Sequence, residues 1–73
     1  MTLSLDKINE VADQIGYLSL VGGQFTLTLS DGDETFEGAR FMGFQPHGLS
    51  IYHAMQPKFV PYAVMTELEI VYG

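Results

Sequence analysis

Seventy-three residues make one domain at most, close to the lower size at which burying apolar surface offsets the loss of chain entropy. The chain has no cysteine, which excludes disulfides and thiolate metal clusters and leaves packing, or association with other copies, as the source of stability. Three Lys and Arg against nine Asp and Glu give a net charge of -6, which opposes non-specific binding to phosphate backbones, while 47% hydrophobic residues exclude a disordered chain and point to a buried interface.

Residues 4–15 read as an amphipathic helix. Leu5, Ile8, Val11, Ala12 and Ile15 fall on one face, with Asp6, Asn9, Glu10 and Asp13 on the other. Ser4 suits the N-cap, and Gly16 is expected to end the helix. Tyr17 to Val21 read as a connector that Gly22-Gly23 re-aims. Residues 24–72 then hold five expected strands. Phe25, Leu27 and Leu29 alternate with Thr26, Thr28 and Ser30, as in a half-buried strand, and Asp31-Gly32 marks a tight turn. Strand two, Thr35 to Phe44, has Phe36, Phe41, Met42 and Phe44 on both faces, with Gly38 and Gly43 as the expected bends. Pro46 and Gly48 shape the next turn, Leu49 to Ala54 form strand three, and Met55-Gln56-Pro57 turns again. Lys58 to Tyr62 form strand four, Ala63-Val64-Met65 a helical turn, and Thr66 to Tyr72 strand five. No apolar run approaches the ~18 residues that span a bilayer, and no basic segment precedes an apolar core at the start, so a cytoplasmic protein away from membranes is expected.

This order resembles the Sm and Sm-like proteins. The stretch LTLSDGDETFEGARFMGF is similar to the first Sm motif, and a Gly-containing turn and a final VPYAVMTELEI follow. The likeness covers most of the chain. It implies a mainly β fold in which an N-terminal α-helix precedes a strongly bent five-stranded antiparallel SH3-like barrel, closed by the curvature of strand two. It also implies a homo-oligomeric ring of about five to seven subunits, closed by cyclic symmetry. In the ring, strands four and five of neighbouring subunits pair, which assigns Phe59, Val60, Leu68, Ile70 and Tyr72 to the interface. Between Phe36 and Phe44 the chain is one residue longer than the family pattern, read as a bulge near Gly38 or Ala39.

The resemblance further implies single-stranded nucleic acid, with RNA ahead of DNA, bound by pore-side loops around Gln45 to Gly48 and Tyr62 to Met65. His47 falls at the base-stacking position, with Gln45, Gly48 and Tyr62 around it. Gln45 stands where the family has Asp, Gly48 or Leu49 where it has Asn, and the Arg-Gly after strand four is missing, so uridine contacts are not expected. Arg40 and Lys58, repeated around a ring, would form a positive circle; singly, each is an ordinary edge-strand charge. The alternative is an oligomeric scaffold or protein-interaction module without nucleic acid. A third reading is an acidic protein that occupies another protein's nucleic-acid groove.

Chemistry-bearing clusters are few. Asp31, Asp33, Glu34 and Glu37 form the one carboxylate cluster, without the following Glu of a calcium loop, and read as a solvated turn. His53 shares a strand face with Leu49 and Ile51, so a hydrogen-bonded interface or core histidine is expected rather than a metal ligand or base. No nucleophile with its base, no phosphate loop and no dinucleotide fingerprint occurs, so no catalysis, cofactor or metal is expected.

Overall fold

The computed structural model describes residues 3–72; residues 1, 2 and 73 of the expected 1–73 domain lie outside the described residues. Helix α1 spans Leu5–Val21, and the Ser4 side chain caps it by accepting the Lys7 N–H at 3.2 Å. The helix passes through Gly16 and takes in the segment expected as a connector. Ile8, Val11, Ile15 and Leu18 form one continuous buried stripe, so stopping at Ile15 would leave Leu18 without a partner. The helix ends at Gly22, whose N–H still bonds the Leu18 carbonyl and whose φ of 73° turns the chain so that the N–H of Gly23 reaches the same carbonyl at 2.8 Å.

Five antiparallel strands follow: β1 Phe25–Ser30, β2 Thr35–Gln45, β3 Gly48–His53, β4 Gln56–Pro61 and β5 Glu67–Tyr72. Their order across the sheet is β4-β3-β2-β1-β5. A 3-10 turn, Tyr62–Val64, carries the chain from β4 to β5, one residue earlier than the helical turn expected at residues 63–65. The sheet does not close. β4 and β5 are its two free edges, so the expected closed barrel is instead a bent open sheet.

Strand β2 bends because it changes partner partway along. Residues Thr35 to Ala39 pair with β1, and residues from Arg40 onward pair with β3. Between the pairs Leu27↔Ala39 and Leu29↔Phe36, β2 holds one residue more than β1, and Gly38 sits there at φ 68°. This is the expected bulge, of the kind that requires left-handed backbone. A second register shift falls between Phe41 and Gly43, where Met42 is the extra residue. Gly43 itself has no positive φ.

The turns differ in detail from the reading of the sequence. Asp31-Gly32 lies in a four-residue loop between the paired Ser30 and Thr35. Asp31 Oδ1 accepts the N–H groups of Asp33 at 3.0 Å and Glu34 at 2.8 Å, and these bonds, Glu34's foremost, hold its carboxyl below the usual carboxylate range. β3 and β4 are joined by Ala54-Met55, both at positive φ, as a two-residue hairpin of matching twist demands. Expected turn residues Gln56 and Pro57 belong to β4. The core lies between the concave sheet and α1: Val11, Ile15, Leu27, Leu29, Phe36, Ala39, Leu49, Ile51, Val60, Met65 and Leu68. Leu3 N–H donates to the Met65 carbonyl at 2.7 Å, tying the entry of α1 to the entry of β5.

Candidate functional site

The outer face of β2, β3 and β4 is set by strand alternation. Leu49, Ile51 and Val60 point into the core, so their neighbours along each strand point away. The register then builds three rows across the surface: Arg40, Tyr52 and Pro57; Gly43, Ser50 and Phe59; Gln45, Gly48 and Pro61. Tyr52 is 40% exposed and Phe59 50%. Gly48 is needed for this surface. A Cβ there would lie 2.6 Å from Phe59 Cζ, 2.6 Å from the Val60 carbonyl oxygen and 2.9 Å from Pro61 Cα. The Phe59 ring therefore leans over Gly48 along the sheet.

A corner adjoins the last row. Pro46 and His47 form the two-residue turn between β2 and β3, and His47 is exposed. The Tyr62 hydroxyl donates to the Gln45 carbonyl at 3.1 Å, and the Tyr62 N–H donates to the His47 carbonyl at 3.1 Å. Partial burial pushes the Tyr62 phenol above its usual range. Of the expected ligand residues, Gln45, His47, Gly48 and Tyr62 thus meet at this corner, and Arg40 lies at the far end of the same face.

Lys58 does not join them. It pairs with Ile51 on the inner face, and its ammonium sits 5.9 Å from the centre of the Phe36 ring, in cation–π range. His53 meets the same ring edge-on at 5.4 Å and is half-buried; among the described residues its side chain makes no hydrogen bond, where a hydrogen-bonded histidine was expected. Among the expected interface residues, Phe59 and Tyr72 are exposed and Ile70 is half-buried, whereas Val60 and Leu68 are core residues that could contribute only backbone to an edge.

The free edge of β4 has a defined chemistry. Pairing from His53↔Gln56 across a two-residue turn directs the backbone groups of Gln56, Lys58 and Val60 to β3, consistent with the next even residue, Tyr62, donating to His47. Pro57, Phe59 and Pro61 face the open side. Two of these three have no N–H, so the edge offers three carbonyls and one donor, that of Phe59.

Charge is divided in the same way. The segment from Gly38 to Thr66 has no Asp or Glu and carries Arg40, Lys58 and both histidines. All nine carboxylates and Lys7 lie in the remainder, a charge of -8 there against +2 in the segment, together the -6 of the chain. In the fold the carboxylates occupy α1, the β1–β2 loop, the start of β2 (Glu37, on its exposed side), and β5, while the outer face from Arg40 onward across β2, β3 and β4 has none. Counting total charge missed this division. The long carboxylate-free run was the signal, together with the alternation of Ser50-Tyr52 and Pro57-Phe59-Pro61. Among the described residues no group of three or more His, Cys, Asp or Glu converges as metal ligands, and no helix is long and apolar enough to cross a membrane. No family model, no curated protein and no solved structure matches the chain.

Proposed function

We propose that the protein is a non-catalytic binding module for single-stranded nucleic acid, which lies across the outer face of β2–β4 and reaches the His47 corner. The observation that supports this most is that two exposed aromatic residues, Tyr52 and Phe59, share with Arg40 and Gln45 the part of the outer sheet face that carries no carboxylate, from Arg40 onward across β2, β3 and β4. Bases stack on such rings whatever their sequence, at roughly 1–3 kcal/mol each, and one guanidinium suits a phosphate. With a single cation on the face, stacking outweighs charge. Affinity is accordingly modest, with a shallow salt dependence of about one phosphate contact per face.

The test is fluorescence anisotropy with labelled single-stranded RNA and DNA. The reading expects saturable binding that weakens about tenfold or more in Tyr52→Ala and in Phe59→Ala, as loss of one stacked base implies. Absence of binding at low salt, or binding indifferent to both substitutions, refutes it. A second reading, an oligomeric scaffold, draws support from the two free edges. β4 carries no carboxylate and β5 carries Glu67 and Glu69, so unlike edges of successive copies suit each other. Such a joint, and the ring it would build, uses β4 chiefly as an acceptor. The mass in solution, from light scattering, decides between one copy and several.

A further inference from the structure

A cleft of about 560 Å³ opens where β1 and β2 part company. The last β1–β2 pair is Leu27↔Ala39, and from Arg40 onward β2 follows β3, so the sheet splays beside the start of β1. The last turn of α1 and the Gly23-Gln24 link close the other side. Ser19, Gln24, Thr26 and Arg40 line the cleft with Phe25 and Phe41, whose ring centres are 6.4 Å apart.

These polar side chains have no work inside the fold. Among the described residues, none of Ser19, Gln24, Thr26 and Arg40 makes a side-chain hydrogen bond, and Arg40 pairs with no carboxylate although the chain has nine. The volume is within the range of small-molecule sites, and the lining, with two aromatic rings and a few convergent polar groups, is of the type that orients a ligand. A guanidinium favours an oxyanion. The carbonyl end of α1, beside Ser19, disfavours an anion and favours a hydrogen-bond donor. Those opposite preferences fix the polarity of the occupant.

We infer that this cleft binds a small organic anion: a flat unsaturated ring against Phe25 and Phe41, its phosphate or carboxylate on Arg40, and an amino or hydroxyl donor toward Ser19 and the end of α1. The site differs from the outer sheet face and does not rest on nucleic-acid binding there, although Arg40 borders both. Phosphate and carboxylate sources share this chemistry and are separated by the probes. The ¹H–¹⁵N spectrum of the full chain is followed during titration with AMP, 4-aminobenzoate and adenosine.

AMP, 4-aminobenzoate or both should shift the amides of Gly23 to Thr26, Arg40 and Phe41 and saturate below about 5 mM, with adenosine at least about tenfold weaker. Arg40→Gln should weaken the anion at least about tenfold while its dispersed spectrum reports an intact fold, and Thr26→Val, which keeps the charge, should weaken it several-fold. If neither anion saturates, if the shifts map elsewhere, or if AMP saturates and adenosine equals it, the inference is wrong. Oligonucleotide binding sensitive to Tyr52→Ala with silent anions would remove the cleft and leave the outer face standing; saturating anions without oligonucleotide binding would do the reverse.

Discussion

Gly38 and Gly43 interrupt the same strand for different reasons. Gly38 holds φ 68° at the first bulge with nothing within 4 Å of a Cβ built on it, so an added methyl costs backbone strain alone. Gly43 also has open space but ordinary φ. Gly38→Ala should therefore destabilise by about 1–2 kcal/mol. Gly43→Ala should be neutral or stabilise by up to about 1 kcal/mol, through a less flexible unfolded chain. Urea denaturation measures both, and equal losses would contradict the assignment. Asp31 makes a prediction about pH. Its folded carboxyl titrates below its unfolded value because two backbone N–H groups, Glu34's first, favour the charged form. Its contribution is thus complete above the ordinary aspartate range and is lost as pH falls through the lowered folded value. Asp31→Asn keeps an acceptor oxygen but no charge, so the gap in melting temperature between wild type and variant should narrow on acidification; a widening gap would reverse the sign argued here.

Among the elements, the strands were legible and the end of α1 was not. Strict alternation from Phe25 to Ser30, and glycine at the first bulge, carried enough local information to place β1 and the bend of β2. Gly16 misled because a helix interior tolerates glycine at about 1 kcal/mol, less than the burial of Leu18 returns. The Ala54-Met55 turn was hidden because neither residue advertises positive φ. The closed barrel failed at the edges, where long-range geometry decides. β4 shows how a sequence manages such an edge: Pro57 and Pro61 occupy the outward positions, where no ladder bond is lost and a neighbouring strand finds little to bond. Pro57→Val restores an outward N–H. It should raise the average mass by light scattering at matched concentration, and a variant no more associated than wild type would show that the prolines do not blunt this edge.

At the scale of the whole molecule, the division of charge explains how a chain of net charge -6 presents a surface without carboxylates. Total charge governs long-range encounter, whereas the local face governs contact once screening over about 10 Å sets in. The corner residues Gln45, His47, Gly48 and Tyr62 were expected from a motif resemblance, and the fold brings them together where Tyr62 bonds Gln45 and His47. Tyr52 and Phe59 were not singled out as a pair, since their common face follows from the β3–β4 register and the leaning of Phe59 over Gly48. Lys58 was misplaced for the same reason: one step along β4 separates the outer face from the ring of Phe36. The most direct test of the outer face is photo-crosslinking to a single-stranded oligonucleotide bearing 4-thiouridine, with the attached peptides identified by mass spectrometry. Crosslinks confined to the segment from Gly38 to Thr66, centred on Tyr52 and Phe59, are predicted; crosslinks on α1, the β1–β2 loop or β5, or none at all, would contradict it.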